Sequence, residues 1–557
     1  MRGLSRPGRV RDPSHGYVGF TGLERGILDH PVAQRLRHIS QSGMAQLVFP
    51  EVRSTRFAHS LGAMHLASRF FATALRNAAP EERDDIQKRL KAAVVAEWGM
   101  GMPQQAREQT EQLLSAHGLQ SGGTVADEYR PYALLVEQAL RLAALFHDLG
   151  HLPFSHDFEY ALQAAIRRHR KGGGEALPTL GAASRLAIHE EIGYRLASLL
   201  QRQIFGQLQP PQKWVEISFL LAEKILNART ELDPDRPPAL GGPADEIEGL
   251  YQWLHSFIAG ELDVDRCDYI LRDTRHYGLD FASFDLDRLV DNVVVCRSEA
   301  VPDALFNSVL PQGQSALESF VIARYRMHQW GIFHHKVQQA AAALQKTTRD
   351  MLAAAIGGDD AIARFLADIE AIAAADDPDR FLDDHAAVLD RYASYDDVWW
   401  MMLMRERAAG PSADAWVQLV CRRTHGPESL WKRRLEFPSH GEIERFNRGL
   451  PGASDEQQVA WEQAVDELEQ DRVLVLRHRF QPWKSKNDAD ETCSALTIRG
   501  RDGGTIALSE LSHLVGVLRD SWMQDVQVQA FSEREGLIEA EEVVRRLSRT
   551  MDDPEAE

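Results

Sequence analysis

Residues 144–159 read ALFHDLGHLPFSHDFE. The first residues close an apolar stretch over 133–147 whose hydrophobic side chains recur at three- and four-residue intervals, which predicts a helix. Gly150 and Pro153 stop that helix soon after His147 and Asp148. A neutral imidazole and an adjacent carboxylate at a helix end can reach one divalent cation. Such mixed nitrogen and oxygen donors suit Mn, Fe, Zn or Co, with Mg as a less tightly held second ion. His151 and His156 follow within ten residues of His147. They are candidates for moving protons beside that ion.

Two further ligands must come from elsewhere in the chain. Upstream, TRFAHSLGAMHLA (55–67) offers His59, with Arg56 beside it. Downstream, ELDVDRCDYILRDTRHYGL (261–279) offers Asp265. Between them, AIHEEIG (187–193) adds His189 as another proton carrier. On the downstream segment Asp265, Tyr269, Arg272, Asp273 and His276 fall at helical spacing, so they form one polar stripe fit to line a pocket for a polar ligand. Each feature alone has an ordinary explanation. HD dipeptides are common, histidines are frequent in cores, and a polar stripe can be a solvated ion-paired face. The ordered set of four segments is what points to a metal site with open positions for a water and a phosphate oxygen.

Working outward, helical periodicity recurs over 185–204, 213–227, 247–259 and 318–346. The stretches KGGGEALPTL (171–180) and LDPDRPPALGGP (232–243) read as loops. Residues 75–130 read as charged, Ala-rich helices joined by flexible turns. VLVLRHRF (473–480) and SALTIRG (494–500) read as strands, and RDGG (501–504) as a hairpin turn before TIAL. The expected fold is mainly α: a helical core with a small α+β C-terminal region. The expected division is a core over 1–350 with a helical insertion at 75–130, a helical extension over 351–464, and the α+β region over 465–557.

Acidic residues outnumber basic ones by 82 to 63, a net charge of −19, so the surface as a whole repels nucleic acid and anionic membranes. Nucleic acid is therefore not expected as a main partner, and an anionic substrate needs a local pocket of Arg, Lys, His or metal. The four cysteines show no CxxC spacing. With no apolar leader and no long uncharged apolar run, a reduced, cytoplasmic protein without a membrane span is expected.

The H…HD…D order of His59, His147, Asp148 and Asp265 resembles the HD superfamily of metal-dependent phosphohydrolases. RDPSHGY (11–17), ILDHPVAQRLRHISQSG (27–43), TRFAHSLG, HDLGHLPFSH and DVDRCDYILRD are similar to its deoxynucleoside triphosphate triphosphohydrolase branch, in blocks over about 11–345. YDDVWW (395–400) and TIALSELSHLV (505–515) resemble the C-terminal region of bacterial members more weakly.

The resemblance implies an HD-domain helical fold that hydrolyses a dNTP to a deoxynucleoside and inorganic triphosphate. It implies that His59, His147, Asp148 and Asp265 hold the metal. His151 and His156 would stand by the α-phosphate with Glu159 supporting them, and His189 would be the general acid. Arg56 and Arg266 would hold phosphates, with Arg266 standing where the family has lysine. Tyr269 would pack on the sugar, and Asp273 and Gln41 would bind the 3′-hydroxyl. Arg324 or Arg326, and Lys336, would reach the triphosphate. Asp29, Gln34 and Arg37 match positions that grip an activating guanine nucleotide, and a homo-oligomer is expected.

Two positions depart from the vertebrate member: Ser42 replaces leucine and Phe333 replaces tyrosine, where those residues help exclude a 2′-hydroxyl. Other HD phosphohydrolase activities, on ribonucleotides, alarmones or nucleic-acid ends, are therefore the first alternative. A non-enzymatic nucleotide sensor is the second.

Overall fold

Every residue from Pro131 to Phe146 in the helix Arg130–Phe146 is buried. A helix that is apolar all round belongs in an interior, and each fully buried Leu or Phe contributes roughly 1.5–3 kcal/mol. Its buried charged residues, Glu137 and Arg141, are paired. Arg141 donates from Nε and Nη2 to Glu24 at 2.7 and 2.8 Å, and from Nη2 to the Gly19 carbonyl at 2.8 Å. The N-terminal hairpin, strands Gly8–Asp12 and Gly16–Phe20, is tied to the core in this way.

The computed structural model describes residues 6–99, 101–115, 119–173, 177–182, 188–206, 208, 212–228, 245–298, 301, 303–411, 413–424, 426–432, 436–438, 455–477, 496–501, 503–522, 528–533 and 538–551. Helices dominate, as the apolar periodicity predicts. Arg56–Asn77 and Lys213–Asn227 pack on the central helix, Val264–Tyr277 packs on Arg56–Asn77, and His335–Ala355 packs on His156–Lys171. The helices expected over 213–227 and 247–259 occur as Lys213–Asn227 and Glu246–Ala259.

Two expectations change. The helix predicted over 318–346 is interrupted. Gln314–Met327 runs into a π-helical turn, His328–Ile332, and a new helix starts at His335, where His334 Nδ1 accepts from the Lys336 amide. The apolar periodicity passes through this break, so it is silent in the pattern. The helix expected over 185–204 is seen as Ile188–Leu200 followed by a π turn, and residues 183–187 lie outside the described set. So do residues 174–176 of the first predicted loop and 232–243, the whole of the second.

The stretch 75–130, expected as an insertion, contains helices Pro80–Trp98 and Gln104–Ser115. Its end is fixed by Glu137, which accepts from the Gln120 and Ser121 amides at 2.9 and 2.8 Å. The predicted C-terminal hairpin forms, Thr497–Arg499 against Thr505–Ala507. Its first strand lies parallel to Leu305–Val309, so it extends a sheet begun by Val293–Arg297. Val473–Arg477 instead pairs with Val528–Ser532 in a separate sheet. That sheet covers a small second core around Trp431, Leu468, Val473 and Val543. Among the described residues no helix is long and apolar enough to cross a membrane.

Candidate active site

Three helix ends converge. The Thr55 side chain caps Arg56–Asn77 by accepting from the Ala58 amide, which puts Arg56 and His59 in that helix's first turn. Asp263 caps Val264–Tyr277 by accepting from the Arg266 amide at 2.7 Å, so Asp265 and Arg266 also sit in a first turn. His147 closes the central helix at its C-terminal end.

His59, His147 and Asp265 each offer one ligand atom, all within 4.8 Å of one another. His59 Nε2 lies 2.9 Å from Asp265 Oδ1 and 3.5 Å from Asp148 Oδ2, and His147 Nε2 lies 3.4 Å from Asp148 Oδ1. The four predicted ligands are thus together. The tautomers also fit a metal. His59 Nδ1 donates to Asp268 Oδ2 at 2.8 Å and His147 Nδ1 to the Ala144 carbonyl at 2.7 Å. That leaves both Nε2 lone pairs free, and both atoms are buried without a hydrogen-bond partner. Buried polar atoms are normally satisfied. Two orphaned imidazole nitrogens beside two carboxylates make a donor set suited to a divalent transition metal.

The proton-transfer candidates adjoin this group. His151 Nε2 is 3.0 Å from Asp148 Oδ1, and its ring stacks on His189 with centroids 4.1 Å apart and planes 10° apart. Glu159 Oε2 accepts from His189 Nδ1 at 2.8 Å and lies 3.6 Å from His156 Nδ1. His151, His156 and His189 also have ligand atoms within 4.8 Å of each other. However, the lone pairs of two near-parallel rings do not converge on one point, so this trio reads as a proton-transfer group. Burial opposes the charge on His189, but the Glu159 carboxylate outweighs it and raises the His189 pKa above its usual value. Glu159 is itself held well below the usual carboxylate range, because its histidine partners outweigh its burial.

Glycines set the approach. A Cβ on Gly150 would stand 2.0 Å from the His189 carbonyl oxygen and 2.4 Å from the Gly193 nitrogen. Only a residue with no side chain lets Ile188–Leu200 come this close to the HD turn. The turn itself is strained: Phe154 and Ser155 have φ of 57° and 58°. Non-glycine residues there cost about 1–3 kcal/mol each and persist only where the surroundings enforce them. Asp397 does so by accepting from the Phe154 amide at 2.6 Å and the Ser40 amide at 2.9 Å. Arg35 adds bonds to the Leu149 and His151 carbonyls at 3.2 and 2.7 Å and to Tyr392 Oη at 2.9 Å.

The predicted substrate residues divide. Arg56 is buried and donates to Asp148 at 2.8 Å and to Ser155 Oγ at 2.9 Å, so it braces a metal ligand as well as facing the site. Arg266 is bound to Asp263 and the Gly260 carbonyl. Tyr269 stands among Arg324, Arg266 and Asp265, whose charges act on it. Asp273 is buried and takes the hydroxyls of Ser42, at 3.1 Å, and of Ser54. Gln41 Oε1 is a buried acceptor without a hydrogen bond.

Of the two arginines that the sequence leaves open, Arg324 is buried, 3.7 Å from Glu261, whereas Arg326 is exposed. Phe333 packs near His328, and Lys336 is exposed and donates to Gln339 at 3.0 Å. The polar stripe splits: Arg272 turns inward to Asp268 and Asp12, while His276 reaches the Glu51 carbonyl at the surface. Asp29, Gln34 and Arg37 are engaged locally, Asp29 with Arg25 at 3.2 Å and Arg37 with Gln34 at 2.7 Å.

Sequence reasoning missed Asp268, Arg35, Asp397 and Ser155 as parts of the site. Their only signal was position inside motifs quoted for resemblance. Nothing local marks a carboxylate as the partner of a residue more than a hundred positions away.

Residues 119–228 match the HD domain model. The chain is 27% identical over 293 residues to the mouse deoxynucleoside triphosphate triphosphohydrolase SAMHD1, covering 52% of this chain and 34% of that one. It is 24% identical over 343 residues to an uncharacterized protein of Bacillus subtilis (61% and 54%). It is 23% identical over 339 residues to an uncharacterized protein of Methanocaldococcus jannaschii (60% and 48%). The chain thus spans about half the length, or less, of these curated relatives. Among solved structures, a phosphohydrolase from Bacteroides thetaiotaomicron superposes with a TM-score of 0.55 at 18% identity, over 95% of this chain and all of that one. At that identity the likeness is one of fold. The chain carries an HD domain in a mainly helical fold and is homologous to the deoxynucleoside triphosphate triphosphohydrolases.

Proposed function

We propose that this phosphohydrolase cleaves deoxynucleoside triphosphates to a deoxynucleoside and inorganic triphosphate. The observation that carries the reading is the continuity between two groups. His151 bonds the metal-ligand candidate Asp148 and stacks on His189. In this reading a charge-stabilising centre and a proton donor face one reacting phosphorus.

His59, His147, Asp148 and Asp265 would hold a divalent cation, which would supply Lewis-acid polarisation of the phosphoryl group and activation of water. Arg324 and Arg266 add fixed positive charge where the phosphoryl oxygens gain charge. His189, whose protonated form the Glu159 carboxylate favours, gives its proton to the leaving 5′ oxygen, a poor leaving group unless protonated. Tyr269 packs on the sugar, and Gln41 and Asp273 take the 3′-hydroxyl. A homo-oligomer and a nucleotide activator at Asp29, Gln34 and Arg37 belong to the same reading, in which GTP or mixed dNTPs change the rate or the oligomeric state.

One observation favours a second reading. Ser42, short and hydrophilic where the resemblance has leucine, donates to Asp273 at 3.1 Å. A ribonucleotide would then be accepted by the same machinery. The test is each dNTP and NTP, singly and mixed, with Mn or Mg, read by product chromatography. A His147→Ala/Asp148→Ala double variant is the control. Turnover of dNTPs that vanishes in the variant supports the proposal. Equal or better turnover of NTPs moves the assignment to the second reading, and no turnover of any nucleotide overturns both.

A further inference from the structure

The carboxylate of Asp268 is fully buried and accepts four hydrogen bonds. Oδ2 takes His59 Nδ1 at 2.8 Å and Arg272 Nε at 2.9 Å. Oδ1 takes Arg272 Nη2 at 2.9 Å and His15 Nε2 at 2.6 Å. Gly62 makes room for it, since a Cβ there would lie 1.8 Å from Asp268 Oδ1. His59 and Arg272 come from the two helices that carry His59 and Asp265. His15 comes from outside both, from the turn joining strands Gly8–Asp12 and Gly16–Phe20.

That turn is built to hold it. Asp12 Oδ1 accepts from the Ser14 and His15 amides at 2.8 and 3.0 Å, while Asp12 Oδ2 accepts from Arg272 Nη1 at 2.8 Å. The His15 side chain is only 1% exposed. A carboxylate that holds the far nitrogen of a metal-bound imidazole sets that ring's tautomer, orientation and basicity. The carboxylate can do so only if its own orientation is fixed.

We infer that the N-terminal hairpin is part of the metal centre: His15 is a positioning residue that fixes Asp268 and, through it, the imidazole of His59. This rests on the metal-centre reading above. The hairpin closes the bond chain His15–Asp268–His59 and holds the helix that carries Asp265 at two points, His15 on Asp268 and Asp12 on Arg272.

The test is calorimetric titration of Mn2+ into the metal-free full chain, with thermal unfolding of each metal-free variant to check the fold. His15→Leu, which removes the donor, weakens Mn2+ binding by about 10–100-fold, the usual effect of losing such an outer partner. His15→Gln, whose amide nitrogen reaches to the position of Nε2, binds close to the wild-type level, and His15→Asn, one bond too short, does not. Wild-type affinity in His15→Leu overturns the inference. If His15→Leu does not fold, the Gln and Asn variants decide, and equal affinity in those two overturns it. His59→Ala separates the two claims. Loss of Mn2+ there, with no loss in the His15 variants, leaves the metal centre standing without the hairpin. Retained Mn2+ in His59→Ala removes the metal centre itself.

Discussion

Replacing Gly150 with alanine tests how the proton donor is brought to the metal. The new Cβ would lie 2.0 Å from the His189 carbonyl oxygen, a distance that must open to at least 3.0 Å. Both close neighbours are backbone atoms, so no side chain can swing away. The start of the Ile188–Leu200 helix must move by about 1 Å, or the HD turn must deform. A methyl forced into a packed contact costs roughly 1–3 kcal/mol. The entropy gained by removing a glycine from the unfolded chain returns only about 0.4–1 kcal/mol, so net destabilisation is expected. A displacement of 1 Å in a catalytic group can cost on the order of 100-fold in rate, and kcat is expected to fall by about that factor. His59 and Asp265 lie on other elements, but His147 and Asp148 directly precede Gly150, so Mn2+ affinity stays near wild type if the Ile188–Leu200 helix yields and falls if the HD turn deforms. Gly101→Ala is the control, because a Cβ there meets nothing within 4 Å. Single-turnover nucleotide hydrolysis and Mn2+ titration read the two effects. Wild-type turnover in a stable Gly150→Ala protein refutes the argument that this crossing positions His189.

Other consequences are checked more briefly. A raised His189 pKa carries the protonated general acid to higher pH than an ordinary imidazole allows, and activity is lost as pH rises through that pKa. Glu159→Gln removes the cause, so the alkaline limb of the kcat profile should move to lower pH, and an unmoved limb contradicts the assignment. Asp397→Asn keeps the shape but replaces one acceptor oxygen of the clamp on Phe154 and Ser40 with a donor group. It should lower the melting temperature and kcat, with metal content unchanged by elemental analysis. Chelation should abolish turnover reversibly, and Mn2+ at 100 times its Kd should stabilise the fold by about 2.7 kcal/mol; chelator-insensitive activity speaks against the metal centre.

The helical fold was legible because apolar periodicity reports burial directly, and the central helix is the strongest such run. The four metal-ligand candidates were legible as members of an ordered set of segments, and the structure brings them together. Periodicity did not show the π turn at His328–Ile332, because apolar residues recur through 318–346 without a gap that marks it. Nor could the sequence choose between Arg324 and Arg326, since helical register is set by packing on neighbours. Asp397 and Arg35 illustrate the deeper limit. Each acts on the strained turn at Phe154–Ser155 from far along the chain, through single polar contacts that leave no pattern. The C-terminal strands read correctly as a hairpin, but their sheet partner, Leu305–Val309, depends on a parallel pairing almost two hundred residues distant.

The most direct test of the account follows the oxygen atom in a single-turnover reaction of a dNTP in heavy-oxygen water. Attack of water at the α-phosphorus with departure of the 5′ oxygen places the label in inorganic triphosphate and leaves the deoxynucleoside unlabelled. That is the predicted result. Label in a nucleoside monophosphate or in pyrophosphate would mean a different bond is broken, and would contradict the placing of His189 at the 5′ oxygen.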